Sequence, residues 1–150
     1  MHHKKRSPKT YIHYGASSFD ANHKLSPERN DKPAGFWASP VCSTLGWKDF
    51  CNAAQWRTET LNKSFRFQLK KGTRILKIHH PSDINPWLKP TTDSLFHVGI
   101  DHERLKKEYD GMEVFVSDCW RLFHNHMPIF RSWDVDSLVI WNMNKVKVIK

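Results

Sequence analysis

The chain has 150 residues, of which 39% are hydrophobic and 13% aromatic, a composition typical of one globular domain with a single core. Lys and Arg number 24 against 15 Asp and Glu, so the formal charge is +9, which favours contact with nucleic acid or other anions. The sequence has no apolar run near the roughly 20 residues of a membrane span, and no apolar stretch follows its basic N-terminus, so we expect a cytoplasmic protein without membrane contact.

The cysteine pattern gives no sign of a disulfide framework. Cys42, Cys51 and Cys119 are odd in number and lack Cys-x-x-Cys spacing. This pattern predicts reduced structural thiols in a cytosolic protein. Their spacing does not resemble a zinc site, so no metal cofactor is expected.

The first third of the chain predicts a basic arm followed by a domain that begins with a strand. Residues 1–9 read as a flexible basic arm, and residues 10–150 as one compact domain without internal repeats. Turn residues dominate the segment between the first two apolar runs. The elements expected in chain order are a strand at 10–14, a polar loop at 17–35, a short strand at 35–40 and a helix at 43–56.

The clearest strand signal follows, in FRFQL. Phe65, Phe67 and Leu69 alternate with Arg66 and Gln68, which predicts a strand with one apolar and one polar face. The turn sequence KKGT then leads to RILKI, so the two runs form either a hairpin or two successive strands. Further elements are expected as a helix at 101–110, a strand at 112–117, a short helix at 118–126, a buried strand at 136–142 and a strand at 145–150.

These elements give six or seven strands and two or three helices that do not alternate strictly. The expected class is α+β, with a mostly antiparallel, split sheet. Charge is polarised along the chain, because 57–77 is basic whereas 101–118 leans acidic. The basic residues expected to contact a nucleic acid or another acceptor are Arg66, Lys70, Lys71 and Arg74.

Three short motifs carry residues suited to chemistry. His13, Tyr14 and Gly15 end the first strand, and a glycine there lets the backbone approach a ligand or a turn. GFWASP places two aromatic residues on the second strand. Glu113 begins the run EVFVSD, and burying a carboxylate costs several kcal/mol unless it is hydrogen-bonded or functional.

In this order the motifs resemble the H-Y-E branch of the ADP-ribosyltransferase superfamily, which includes diphtheria-type toxins and poly(ADP-ribose) polymerases. GFWASP resembles the family's Gly-aromatic-aromatic-Ala strand, GWKDFC the helix with a second aromatic residue, and EVFVSD the strand with the catalytic glutamate. The resemblance covers residues 11 to 145. It implies an ADP-ribosyltransferase-like split sheet and a toxin-like enzyme that cleaves NAD and transfers ADP-ribose to a macromolecular acceptor. The basic charge of residues 57–77, not the resemblance, favours a nucleic acid or a protein bound to it as that acceptor.

The resemblance also implies catalytic roles. Glu113 would stabilise the oxocarbenium-like centre formed when the nicotinamide–ribose bond breaks. His13 would hydrogen-bond a ribose hydroxyl. Asp134 and Asp136, just before the strand DSLVIWN, are alternative acids, because that strand also resembles the family's glutamate-bearing strand.

The NAD-binding roles follow in the same way. Gly15 would pair with the carboxamide, and Trp37 with Phe50 or Tyr14 would sandwich the nicotinamide ring. Because Tyr14 stands between His13 and Gly15, which of the two side chains faces the ligand is open. Ser39 or Ser17 would orient the ribose or the glutamate. The residues implied in NAD binding are therefore His13, Tyr14, Gly15, Ser17, Trp37, Ser39 and Phe50.

Three other functions fit the same residues. A non-catalytic basic module could bind RNA or DNA through 57–77, with Trp and Phe stacking on bases. An RNA 2′-phosphotransferase-like enzyme would share the fold and the basic face, but it would not need Glu113. The seven Trp residues also suit a protein interface.

Overall fold

The structure is a computed structural model that describes residues 9–20, 22, 25–43, 45–55, 58–92, 97–125, 129–130 and 132–149. The predicted basic arm lies outside these ranges except for Lys9. None of the helices within them has the length and hydropathy that crossing a membrane requires.

The described residues form nine strands and three α-helices. The strands are β1 Tyr11–Tyr14, β2 Phe36–Pro40, β3 Ser64–Leu69, β4 Ile75–Ile78, β5 Leu88–Pro90, β6 Val98–Ile100, β7 Gly111–Val114, β8 Ser137–Ile140 and β9 Val146–Val148. The helices are α1 Trp47–Ala54, α2 His102–Glu108 and α3 Trp120–Asn125. Short 3₁₀ turns occupy Thr58–Asn62, Pro81–Trp87, Val116–Asp118 and Met143–Lys145.

Seven strands form one sheet in the order β4-β7-β8-β2-β1-β3-β9, and β5 pairs with β6 separately. The β4–β7 pair is parallel and the other pairs are antiparallel. The α+β class and the mostly antiparallel sheet are thus confirmed. All four residues of β8 are buried, as predicted for the apolar strand.

The predicted hairpin of FRFQL and RILKI does not form; they are the two successive strands of the alternative prediction. β3 pairs with β1 and β9, whereas β4 pairs with β7 at the far edge of the sheet. Residues 70–74 join them and reach about 20 Å at most, while five flat strand spacings measure about 24 Å. The sheet therefore curls, and Ile75 of β4 packs into the same cluster as Leu69 of β3.

Two further elements are shorter or more regular than predicted. β7 ends at Val114, because the chain turns into the 3₁₀ segment Val116–Asp118. No element was predicted between RILKI and the helix at 101–110, but the chain forms the 3₁₀ turn Pro81–Trp87 and strand β5 there.

Alternation along the strands gives the sheet two faces with separate packing. The inner face carries Tyr11, Phe67 and Leu138, which belong to one aromatic and aliphatic cluster inside the curl. The outer face carries Met112 and Val139, which pack in a second cluster. That cluster includes Leu105 of α2 and Phe123 of α3, so the helices cover this part of the outer face.

Asp110 fastens three strand ends together. It is buried, its Oδ2 accepts a hydrogen bond from Arg74 N at 2.9 Å, and its Oδ1 accepts one from Asn142 Nδ2 at 3.0 Å. Burial alone would raise the pKa of Asp110, but these hydrogen bonds and the charges of Lys145 and Arg74 outweigh it, so that the pKa is lowered.

Stability is therefore expected to depend on Asp110 in acid. A depressed folded-state pKa contributes stability that is complete above the unfolded value, about 3.9, and is lost as pH falls below it. Urea unfolding between pH 2.5 and 6 should show a smaller decline in the free energy of unfolding for Asp110→Asn than for the wild type. The exposed Glu108→Gln variant is the control, and an unchanged pH slope in Asp110→Asn would refute the assignment.

Candidate functional site

A cavity of about 710 Å³ opens on the outer face beside β1 and β2. Its floor includes Tyr14 of β1 and Trp37 and Ser39 of β2, which alternation places on this face. Its walls come from the loop 26–32 and from residues 132–137, which precede and begin β8. This volume lies in the range of small-molecule and cofactor sites.

Three tryptophans join Tyr14 in the aromatic part of the lining. Trp37 and Trp133 lie with ring centroids 5.1 Å apart, and Trp47 at the start of α1 adds a third indole. Trp37 Nε1 donates to Ser26 Oγ at 2.7 Å, and Trp133 Nε1 donates to the Asp31 carbonyl at 2.9 Å. Because both indole N–H groups are hydrogen-bonded within the protein, these rings are fixed in orientation.

Two cations line the same cavity. Lys32 Nζ donates to the Ser132 carbonyl at 3.0 Å and lies 5.7 Å and 5.8 Å from the ring centroids of Trp37 and Trp133. Burial lowers the pKa of Lys32, an effect that the Asp31 and Asp134 carboxylates oppose. Arg29, which pairs with Asp31 at 3.4 Å, is the second cation. The cavity thus places positive charge directly beside indole rings.

The two alternative acids, Asp134 and Asp136, differ in burial and in hydrogen bonding. Asp134 is half-buried and lines the cavity, and no residue in the described ranges donates a hydrogen bond to its carboxylate. Asp136 is buried and accepts hydrogen bonds from Ser43 Oγ at 2.7 Å and from Ser117 N and Oγ at 2.8 and 2.6 Å. Asp136 therefore anchors the segment, and Asp134 faces the space where a ligand would lie.

Glu113 lies on the opposite face of the sheet from the cavity. It pairs with Leu138, an inner-face residue, and its carboxylate is 1% exposed. Its Oε1 accepts a hydrogen bond from Tyr11 OH at 2.7 Å, and its Oε2 lies 2.5 Å from Lys9 Nζ. The sequence therefore indicated a buried carboxylate correctly, but the strand register points it away from the aromatic cavity.

Alternation along β1 places the side chains of His13 and Tyr14 on opposite faces of the sheet. The His13 imidazole stacks on Phe36 at a centroid distance of 4.2 Å and packs tilted against Phe65 at 5.4 Å, and its Nδ1–H donates to the Trp37 carbonyl at 2.7 Å. His13 thus reaches the edge of the cavity while its ring packs among inner-face aromatics. Tyr14 is the side chain on the cavity face.

The other predicted binding residues divide into two groups. Gly15 borders the cavity at φ +110°, a conformation that glycine adopts without strain, and Ser39 accepts a hydrogen bond from Trp47 N at 2.9 Å. Phe50 packs against Trp47 with centroids 5.9 Å apart but does not line the cavity. Ser17 is exposed in the following loop and does not line it either.

The predicted acceptor residues are exposed, in two places. Arg66 on β3 lines a second cavity of about 200 Å³ next to the first. Lys70, Lys71 and Arg74 lie in the connection between β3 and β4, away from both cavities.

Several lining residues were not predicted from the sequence, among them two cations and two tryptophans: Arg29, Lys32, Trp47 and Trp133. Trp47 lies in the quoted run GWKDFC, three residues before Phe50, the aromatic residue that was predicted from this run. Arg29 and Lys32 belong to a loop that read as polar. Their place depends on a distant contact, because Ser132 Oγ donates to Asp31 Oδ2 at 2.6 Å and holds the two walls together.

Within the described ranges, no group of three or more His, Cys, Asp or Glu side chains is arranged to hold a metal ion. Cys42, Cys51 and Cys119 all lie within the described ranges, and no disulfide joins any two of them. Comparisons with protein families, curated proteins and solved structures find no match to this chain.

Proposed function

We propose that the protein binds NAD in the outer-face cavity and transfers ADP-ribose from it to a macromolecular acceptor. The observation that carries the proposal is the meeting of indole rings, two cations and the Asp134 carboxylate in one cavity of about 710 Å³. The resemblance of the first two sequence motifs, which line this cavity, to ADP-ribosyltransferases supports the choice of NAD among nucleotides. The finer fold assignment, a split sheet of the ADP-ribosyltransferase type, belongs to the same proposal.

The lining matches the parts of a dinucleotide. An indole face can stack on the nicotinamide or adenine ring, as aromatic side chains do with flat heterocycles. Lys32 and Arg29 would pair with the pyrophosphate, since guanidinium and ammonium groups form charge-assisted hydrogen bonds with phosphate oxygens. Gly15 and Tyr14 lie at the floor, where the resemblance puts the carboxamide contact.

The chemistry requires a carboxylate next to the reacting ribose. Cleavage of the bond between C1′ and the pyridinium nitrogen releases neutral nicotinamide and leaves positive charge on the ribose. A nearby carboxylate stabilises that charge until an acceptor nucleophile bonds to C1′ and loses its proton. Asp134 occupies the cavity wall, so we assign this role to Asp134 rather than to Glu113.

The test is NAD binding by calorimetry together with nicotinamide release measured by chromatography. Lys32→Met is expected to weaken NAD binding about tenfold, because a charged hydrogen bond to phosphate contributes about 1.5–3 kcal/mol. Binding of nicotinamide riboside, which lacks the pyrophosphate, should change much less.

Lys89→Met removes an exposed lysine that does not line the cavity and serves as the matched control. Equal NAD affinity in Lys32→Met and the control would contradict the assignment of the pyrophosphate to Lys32. A wild-type protein that binds no NAD would contradict the proposed function itself.

A second candidate is a module that holds a nucleotide of RNA or DNA without cleaving anything. The Trp37 ring with Lys32 Nζ over it suits a base and a phosphate whether or not Asp134 reacts. Nicotinamide release separates the two functions, because this module would bind oligonucleotides and leave NAD intact. The phosphotransferase alternative is less favoured, because such an enzyme would need a histidine to contact the phosphate. The His13 ring is instead packed among Phe36 and Phe65.

A further inference from the structure

A basic strip continues the outer face from the cavity to the sheet edge. We define it as Arg66 and Gln68 of β3 and Lys147 of β9. Arg66 pairs with Ile12 of β1, and Gln68 pairs with Lys147, so the three side chains lie on the face that also carries Tyr14. Arg66 and Lys147 are exposed and Gln68 is half-buried, so this part of the outer face is open to solvent.

The second cavity connects the strip to the proposed NAD site. It measures about 200 Å³ and shares Ile12, Tyr14, Ser39 and Trp47 with the larger cavity. Beyond these shared residues it adds the cations Arg66 and Lys48. Its carboxylate, Asp49, accepts a hydrogen bond from Gly46 N at 3.0 Å and so is engaged at the start of α1. The junction, which is formed by the residues that the two cavities share, thus carries the aromatic rings of Tyr14 and Trp47. The cations Arg66 and Lys48 line only the second cavity.

We propose that the basic strip binds a single-stranded nucleic acid as the acceptor, with phosphates on Arg66, Lys147 and Lys48 and a base on Tyr14 or Trp47. This inference rests on the proposed function and names its acceptor. An unpaired base brought to the junction would place a nucleophilic nitrogen or oxygen next to the ribose C1′. That atom forms the new bond to C1′ as nicotinamide leaves, and its proton passes to solvent.

Chemistry favours a nucleic acid over an acidic protein. Both would pair with the cations, but only a nucleic acid carries a flat base beside each phosphate that can stack on the Tyr14 ring at the junction. Bases stack on such rings irrespective of sequence, and cations beside them follow the phosphate backbone. A duplex keeps its bases stacked inside, so the strip is expected to prefer single strands.

The experiment measures fluorescence anisotropy of labelled 12-residue single-stranded DNA and RNA, a DNA duplex and a poly-glutamate peptide. We expect Arg66→Ala/Lys147→Ala to weaken single-strand binding at least tenfold. Removing two phosphate contacts should also reduce the slope of log affinity against log salt by about 1.4. Transfer of labelled ADP-ribose to the oligonucleotide should fall in parallel.

The matched control, Lys89→Ala/Lys107→Ala, removes the same charge from exposed sites off the strip and should bind like the wild type. Equal loss in both double variants, or no loss in either, would overturn the strip as the interface. Tighter binding of poly-glutamate than of oligonucleotide would overturn it in favour of a protein acceptor.

The same measurements separate this inference from the proposed function. Nicotinamide release without strip-dependent oligonucleotide binding overturns the acceptor and leaves the NAD proposal standing. Strip-dependent oligonucleotide binding without NAD binding refutes the enzyme and with it the acceptor role, and it identifies the non-catalytic module instead.

Discussion

Replacing Lys9 by methionine is expected to lower the free energy of unfolding by about 3 kcal/mol. Lys9 Nζ lies 2.5 Å from Glu113 Oε2, and removing the cation leaves a carboxylate that is 1% exposed, with Tyr11 OH as its remaining donor among the residues that the structure describes. Methionine keeps an apolar stem next to the Phe115 ring, over which Lys9 Nζ lies 4.5 Å from the centroid. The change therefore tests the charge. This expected loss of unfolding free energy is at the lower end of the range for breaking a buried ion pair, because the Lys9 side chain is 34% exposed.

Urea denaturation of a double-mutant cycle measures this coupling. Adding Glu113→Gln to Lys9→Met should restore most of the lost stability, because a neutral amide can still accept the hydrogen bond from Tyr11. Lys89→Met is the control for loss of an exposed lysine and should stay within about 0.5 kcal/mol of the wild type. A Lys9→Met variant as stable as this control would show that the ion pair does not hold the two strands.

The ion pair gives Glu113 a structural reason to be buried. It ties the chain just before β1 to β7 across the inner face. Burial, reinforced by the Glu113 charge, raises the pKa of Tyr11, so the phenol stays protonated and donates to the carboxylate. Lys9 and Tyr11 together offset the free-energy cost of burying the Glu113 carboxylate, so its burial does not require a catalytic role.

Local patterns predicted the elements of the fold better than their partners. β1, β8 and α2 were predicted because alternation, apolar runs and the Asp101 cap act within a few residues; Asp101 Oδ1 indeed accepts from Arg104 N at 3.3 Å. The turn sequence KKGT did not indicate which strands pair with β3. Pairing with β1 and β9 depends on burying Phe65 and Phe67 in a distant cluster, which no local signal encodes.

The sequence predicted the cavity residues whose positions follow from alternation along a strand. It did not predict positions that depend on strand register or on contacts between distant segments. Tyr14, Trp37 and Ser39 line the cavity because neighbouring strands carry them to one face. The face of Glu113 depends on the register of β7, β8 and β2 together, and one residue of slip would reverse it. Lys32 joins the cavity only through contacts such as its bond to Ser132, which lies a hundred positions away.

Asp134→Asn is expected to reduce the rate of nicotinamide release from NAD by at least about a hundredfold, the usual effect of removing one group that stabilises charge in a transition state. The carboxylate lines the cavity, and no residue in the described part of the chain donates a hydrogen bond to it. Asparagine keeps the size and removes the charge. The melting temperature and NAD affinity should therefore change little while kcat falls.

Glu113→Gln is the decisive comparison, because it makes the same chemical change on the inner face. We expect Glu113→Gln to lower the melting temperature and to retain nicotinamide release per folded molecule, whereas Asp134→Asn does the reverse. Asp118→Asn, an exposed carboxylate that does not line the cavity, controls for loss of charge alone. If Glu113→Gln abolished release in a folded protein and Asp134→Asn did not, the acid would be the residue that the sequence resemblance named. The chemistry would then require the sheet register around β7 to change when NAD binds.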